Sequence, residues 1–191
     1  MLNTIIYSYN RPAQLELLIR SIKKYFVDWD TYQWNILYKY SSDFFKQGYD
    51  LVLQKHPDIN YIKEENFKED TIKLMDIRNQ YLMFGVDDDV FINRFSFDST
   101  EFRTFEQNPL IAGLYLRLNP NINFCYTENR KVTMPPMHFK DLGIHMWDWR
   151  GLSEGDISYP ASIDMTLFRT KDLLSTIKSL DFSNPNYLEG R

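Results

Sequence analysis

The sequence predicts an α/β fold, a mostly parallel sheet flanked by helices in a single domain, and three observations predict it. Apolar runs of strand length alternate with stretches of helical periodicity through the first 90 residues, the pattern of repeated β–α units joined by right-handed crossovers. Helix-start signals follow the first two runs, at Pro12 and at Ser41-Ser42-Asp43. A length of 191 residues fits one domain with a substantial core and no need of a covalent staple.

Taken in order, Thr4-Ile5-Ile6-Tyr7-Ser8 reads as a short buried strand, and Tyr9-Asn10-Arg11 as the turn after it. Pro12 suits a first helical turn, and Leu15, Leu18, Ile19, Ile22 and Phe26 then recur at helical spacing. Trp34, Ile36 and Tyr38 mark a second strand, and the Ser-Ser-Asp cap leads into a helix over 44–55. Asn60-Tyr61-Ile62 is a third strand; the acidic segment 64–70 then starts a helix that runs through Leu74, Met75 and Ile77. The second half is less regular. Residues 110–118 and 162–168 read as strands, 170–180 as a helix, and 119–155 as a stretch rich in turn residues and aromatics. The polar end at 184–191 lacks a closing element, as in a truncated chain or the N-terminal part of a longer protein.

The feature that points to chemistry is Tyr81-Leu82-Met83-Phe84-Gly85-Val86-Asp87-Asp88-Asp89-Val90, a buried strand that ends in three carboxylates. Three adjacent aspartates repel one another unless a cation or a proton sits between them. On an extended backbone Asp87 and Asp89 face one side and Asp88 the other, so two carboxylates can converge on a hard cation, which can then hold a diphosphate. The ordinary alternative is a solvated turn. An EF-hand is excluded by Ile92, which stands where that loop requires glycine. Ligands of open α/β sheets bind beyond the carboxyl ends of the strands, which places 8–11, 40–43 and 87–89 on one rim.

Composition narrows the classes. A formal charge of −4 argues against sequence-independent nucleic-acid binding. Cys125 is the single cysteine, which rules out an intrachain disulfide and leads us to expect a reducing, cytoplasmic location. No signal peptide opens the chain and no run has bilayer-spanning length, so peripheral attachment is the remaining route to a membrane. Aromatics make up 16% of the residues, and a surplus of Tyr and Trp suits stacking on sugars or bases as well as packing. Trp147-Asp148-Trp149-Arg150, flanked by His138 and His145, reads either as an acceptor wall or as core. His56, at a helix end, reads as structural.

Thr4-Ile5-Ile6-Tyr7-Ser8-Tyr9-Asn10-Arg11-Pro12 with its helix resembles the start of GT-A glycosyltransferases of the family 2 type, which have a Rossmann-like sheet. Phe84-Gly85-Val86-Asp87-Asp88-Asp89 resembles their Asp-x-Asp element, and Met165-Thr166-Leu167-Phe168-Arg169 their late Phe-Arg strand. The resemblance implies transfer of a sugar from a UDP- or GDP-linked donor to a carbohydrate or glycoconjugate hydroxyl, with inversion, assisted by Mn²⁺ or Mg²⁺. It implies metal contacts from Asp89 and Asp87. It implies donor contacts from Ser8, Tyr9, Asn10, Arg11, Ser41, Ser42, Arg78, Asp87 and Asp88, with donor binding in 1–93 and acceptor binding in 94–191. Where many relatives have an acidic pair after the second strand, this chain has Tyr40-Ser41-Ser42. For the base that takes the acceptor proton, the family position favours Glu189 over Asp164. The rival readings are a sugar nucleotidyltransferase, disfavoured by the lack of a Gly-rich phosphate cradle, and a haloacid-dehalogenase-type phosphohydrolase, disfavoured by Phe91. A catalytically silent sugar- or nucleotide-sugar-binding module is the alternative from another class.

Overall fold

The computed structural model describes residues 1–117, 121–126, 128–137, 145–153, 155–159 and 161–190. β1 (Leu2–Tyr9), α1 (Pro12–Tyr25), β2 (Gln33–Lys39), α2 (Asp43–Lys55), β3 (Asn60–Lys63), α3 (Phe67–Leu74) and β4 (Tyr81–Val86) follow in order. Local chemistry sets their boundaries. Pro12 opens α1, and the Asn66 side chain accepts the Glu69 N–H at 3.1 Å to start α3. Glu64 and Glu65 thus precede α3, and the helix ends at Leu74 with Met75 as its cap, short of the expected Ile77.

The second half departs further from the sequence reading. α4 (Thr100–Gln107) has no counterpart among the predicted elements; the Ser99 hydroxyl caps it by accepting the Phe102 N–H at 3.2 Å. β5 (Leu114–Tyr115) is two residues of the run predicted over 110–118, and β6 (Phe124–Cys125) pairs with β7 (Arg130–Lys131) as a separate hairpin. β8 (Thr166–Arg169) begins only after Asp164 and Met165, and Met165 adopts a left-handed φ of 49° that breaks the strand predicted from 162. α5 (Thr170–Ser179) and α6 (Pro185–Glu189) complete the order.

The six-stranded sheet has the order β3-β2-β1-β4-β8-β5; the first four strands are parallel, and β8 is antiparallel to both its neighbours. Alternation along β1 divides the core into two layers. Leu2 and Ile6 meet Leu15, Leu18, Ile19 and Ile22 of α1, whereas Ile5 and Tyr7 meet Phe67, Ile177 and Leu188 on the other face. Those four α1 side chains are fully buried, and each contributes about 1.5–3 kcal/mol through removal of apolar surface from water. A row of amides, buried at Asn3 and Asn35 and exposed at Asn60, fixes the strand register. Asn35 donates to Asn3 Oδ1 at 2.7 Å, and Asn60 donates to Asn35 Oδ1 at 2.6 Å. A Cβ at Gly85 would lie 2.8 Å from Met165 Sδ, so the missing side chain lets Met165 close over β4.

Candidate functional site

Strand direction gathers the site. β1, β2, β3 and β4 all end on one rim. Because β8 runs the other way, its beginning, with Asp164, arrives there too, and β5 delivers Arg117 just past its end.

The first loop is held from beneath. Asn10 takes a left-handed φ of 58°, tolerable for asparagine, and its side chain both donates to Ser41 Oγ and accepts the Ser41 N–H, each at 2.8 Å. The ends of β1 and β2 are thereby pinned together, with Ser42 and the exposed ring of Tyr9 beside them. Ser8 Oγ donates to Asp87 Oδ2 at 2.8 Å. Since that uses the serine's single proton, Tyr49 OH donates to Ser8 at 2.7 Å and itself accepts the Arg11 N–H at 3.2 Å. Tyr49, from α2, is therefore the buried foot of the loop.

The aspartate turn differs from the extended geometry expected of it. β4 ends at Val86, and Asp87 to Asp89 fold into a turn: Asp89 N–H donates to Val86 O at 3.2 Å while Val86 N–H donates to Asp89 Oδ2 at 3.1 Å. Alternation no longer applies once the strand has stopped. Asp87 is buried toward Ser8, and Asp88 is exposed and pairs with Arg11 Nη1 at 2.8 Å. That same nitrogen stands 3.5 Å from Asp87 Oδ1. Burial raises the Asp87 carboxyl, opposed by Ser8 and Arg11. Burial also pushes the Asp89 carboxyl up to about 7, and the nearby charges of Asp164 and Asp88 add to the rise.

Facing this turn is a second acidic group around Arg117. Arg117 Nε lies 3.2 Å from Asp164 Oδ2, Nη1 lies 3.7 Å from Asp156 Oδ2, and Nη2 donates to Ser162 Oγ at 3.2 Å. Glu189, at the end of α6, accepts the Ile163 N–H at 3.4 Å. Burial raises the carboxyls of both Asp164 and Glu189; Arg117 pulls each down, and the Asp164 charge pushes Glu189 up further.

The rim thus brings together the predicted Ser8, Asn10, Arg11, Ser41, Asp87, Asp88, Asp89, Asp164 and Glu189. It does not bring Arg78, which sits before the start of β4 at the opposite edge of the sheet and pairs with Asp76 at 2.7 Å. Six strand residues at about 3.3 Å each separate it from the aspartate turn. Asp164 lies in the bend ahead of β8, and not within a strand as expected. His145, Trp147 and Trp149 line a cavity beside β5, and His138 lies outside the described residues. Tyr49 and Arg117 were missed. Arg117 carried a signal, a charge closing an apolar run, whereas Tyr49 is one helical tyrosine among thirteen tyrosines.

Among the described residues no three His, Cys, Asp or Glu side chains are grouped to enclose a metal. A cation shared with a diphosphate needs only one or two protein carboxylates, the remaining ligands being phosphate and water. The oxygen-only turn fits that kind of ion and not a closed protein cage.

No family model matches the chain. It is 32% identical over 193 aligned residues to a protein of Dictyostelium discoideum named bifunctional glycosyltransferase pgtA, across 92% of this chain and 25% of that protein. The chain spans about a quarter of the curated relative it matches.

Proposed function

We propose that this chain is a glycosyltransferase domain of GT-A type that moves a sugar from a nucleoside-diphosphate donor to a hydroxyl of a glycan or glycoconjugate. The observation that carries the reading is similarity to a glycosyltransferase over 92% of the chain. The rim supports it: a pinned first loop, an acidic turn and the half-buried carboxylates of Asp164 and Glu189 meet beyond the ends of parallel strands, where α/β sheets bind ligands. Residues 1–93 supply the donor side and 94–191 the acceptor side.

Each residue has a part in this scheme. Arg11, half exposed, presents a guanidinium to the diphosphate, and Asn10 and Ser41 hold the loop from which it projects. Asp89, with Asp87, would hold Mn²⁺ or Mg²⁺, and that ion would supply Lewis-acid stabilisation to the leaving diphosphate. Glu189 takes the proton of the attacking hydroxyl, and a single displacement inverts the sugar. Asp164 is held by Arg117 beside it.

The test is calorimetric binding of UDP and GDP in Mn²⁺ and in chelator, joined to a screen of UDP- and GDP-sugars for nucleoside-diphosphate release. We expect metal-dependent binding of one nucleotide and release with one sugar. Equal affinity in chelator would remove the metal, and binding without turnover on any acceptor would favour a silent sugar-nucleotide module.

A further inference from the structure

On the outer side of β5, against α4, lies a cavity of about 720 Å³, within the range of small-molecule sites. Its walls include Trp147, Trp149, Met146, Leu114, Ile111 and Phe105. Several polar side chains around it are already engaged, whereas Glu101 and His145, which also line it, are exposed. Trp147 Nε1 donates to Ile157 O at 3.1 Å, and Tyr115 OH donates to Tyr159 O at 2.8 Å, both acceptors lying outside the lining. Arg150 closes a two-bond pair on Asp148 at 2.9 and 2.8 Å, and the Thr104 hydroxyl donates back to Thr100 O at 2.9 Å.

A sugar ring carries hydroxyls on every side, and burying them without partners is costly. Most of this lining is ring faces, thioethers and methyl groups, and Glu101 and His145 are the polar side chains that depart from it. It suits a hydrocarbon or aromatic group. Leu110, 92% exposed, also lines the cavity and leaves apolar surface uncovered there. One strand links the cavity to the rim. Leu114 and Tyr115 form its wall, the Tyr115 ring lies 5.3 Å from that of Trp147, and Arg117, two residues on, meets Asp164.

We propose that the cavity holds the apolar aglycone of an amphiphilic acceptor whose hydroxyl-bearing end lies at the rim. The acceptor role rests on the glycosyl-transfer reading; the apolar site itself does not.

Two of the four tryptophans line the cavity, so intrinsic fluorescence reports its occupation. The intact chain is titrated, without donor, with octyl β-D-glucoside below its micellar concentration and with methyl β-D-glucoside. A saturable change with the octyl compound, about tenfold or more tighter than with the methyl compound, is expected from the added methylenes. Ala112→Phe fills the cavity and Met146→Glu charges it; each is expected to weaken octyl binding about tenfold or more at an unchanged melting temperature, and the second serves if the first fails to fold. Equal binding of both glucosides would make this a sugar subsite and overturn the proposal. Undiminished octyl binding in both variants would place it elsewhere and do the same. In an enzyme active on some other acceptor, octyl glucoside that fills the cavity and competes with neither transfer nor product formation would overturn the acceptor role. Failure of all transfer with octyl binding intact would count against the glycosyl-transfer reading alone.

Discussion

At the scale of single residues, Asp89 faces opposed demands: the turn buries its carboxyl beside other acids, while the proposed chemistry needs it charged. Its carboxyl is pushed up to about 7 from an ordinary 3.8, so the folded state holds the proton more tightly than the unfolded chain. The stability this contributes is complete below about pH 4 and is lost as pH rises through about 7. Asp89→Asn cannot ionise. In chelator it should melt above the parent at pH 8, by roughly 2–4 °C for each kcal/mol recovered, and show no such gain at pH 3. The same variant should lose transfer about 100-fold or more, the scale of removing one electrostatic stabiliser. Near-normal turnover would make the triplet a turn and nothing else. Beside it, Glu189 is held by neutral donors, the Ile163 N–H and the Ser162 hydroxyl, whereas Asp164 is engaged by the Arg117 cation. Glu189→Gln should therefore lower the transfer rate roughly 100-fold with nucleotide binding retained, and Asp164→Asn should do less. Rates measured side by side at saturating donor decide the order, and the reverse ranking assigns the base to Asp164.

At the scale of elements, the part played by the last residue of β8 is legible only with its neighbours in place. The Phe168-Arg169 pair carries a family likeness, yet Arg169 sits at the end of β8 far from the rim and works as an anchor. Its Nη1 donates to Ile111 O at 2.7 Å, its Nη2 donates to Asn108 O at 3.0 Å and to Phe105 O, and its guanidinium lies 4.2 Å from the Phe105 ring centre. One side chain thus satisfies the carbonyls at the end of α4 and fastens the lead-in to β5. Arg169→Met should destabilise the domain by about 3 kcal/mol in urea unfolding, because buried carbonyls lose their donors. Arg169→Lys should recover less than half, since an ammonium cannot match a planar fork. Full recovery by lysine would reduce the role to charge. Helix α4 was illegible for a related reason: Phe102 and Phe105 are its only buried residues, too few to give a helical period in sequence.

At the scale of the whole molecule, the sheet is locked by contacts between segments distant in sequence. Met165 fills the space above Gly85, so Gly85→Ala should cost about 1–3 kcal/mol by overpacking. Met165→Ala empties that space. The double variant should lose clearly less stability than the sum of the single ones, and additivity would show that the two positions do not meet. The sequence by itself determined the β–α units of the first 90 residues, because apolar periodicity and helix caps are local signals that every parallel strand repeats. It also determined that an acidic cluster closes a buried strand. Tertiary structure alone decided that this cluster folds back as a turn, that reversal of β8 carries Asp164 to the rim, and that Arg117 joins it. It likewise left Arg78 at the far edge of the sheet. Those outcomes depend on strand direction and order, which arise from pairing between distant segments and leave no period in the chain.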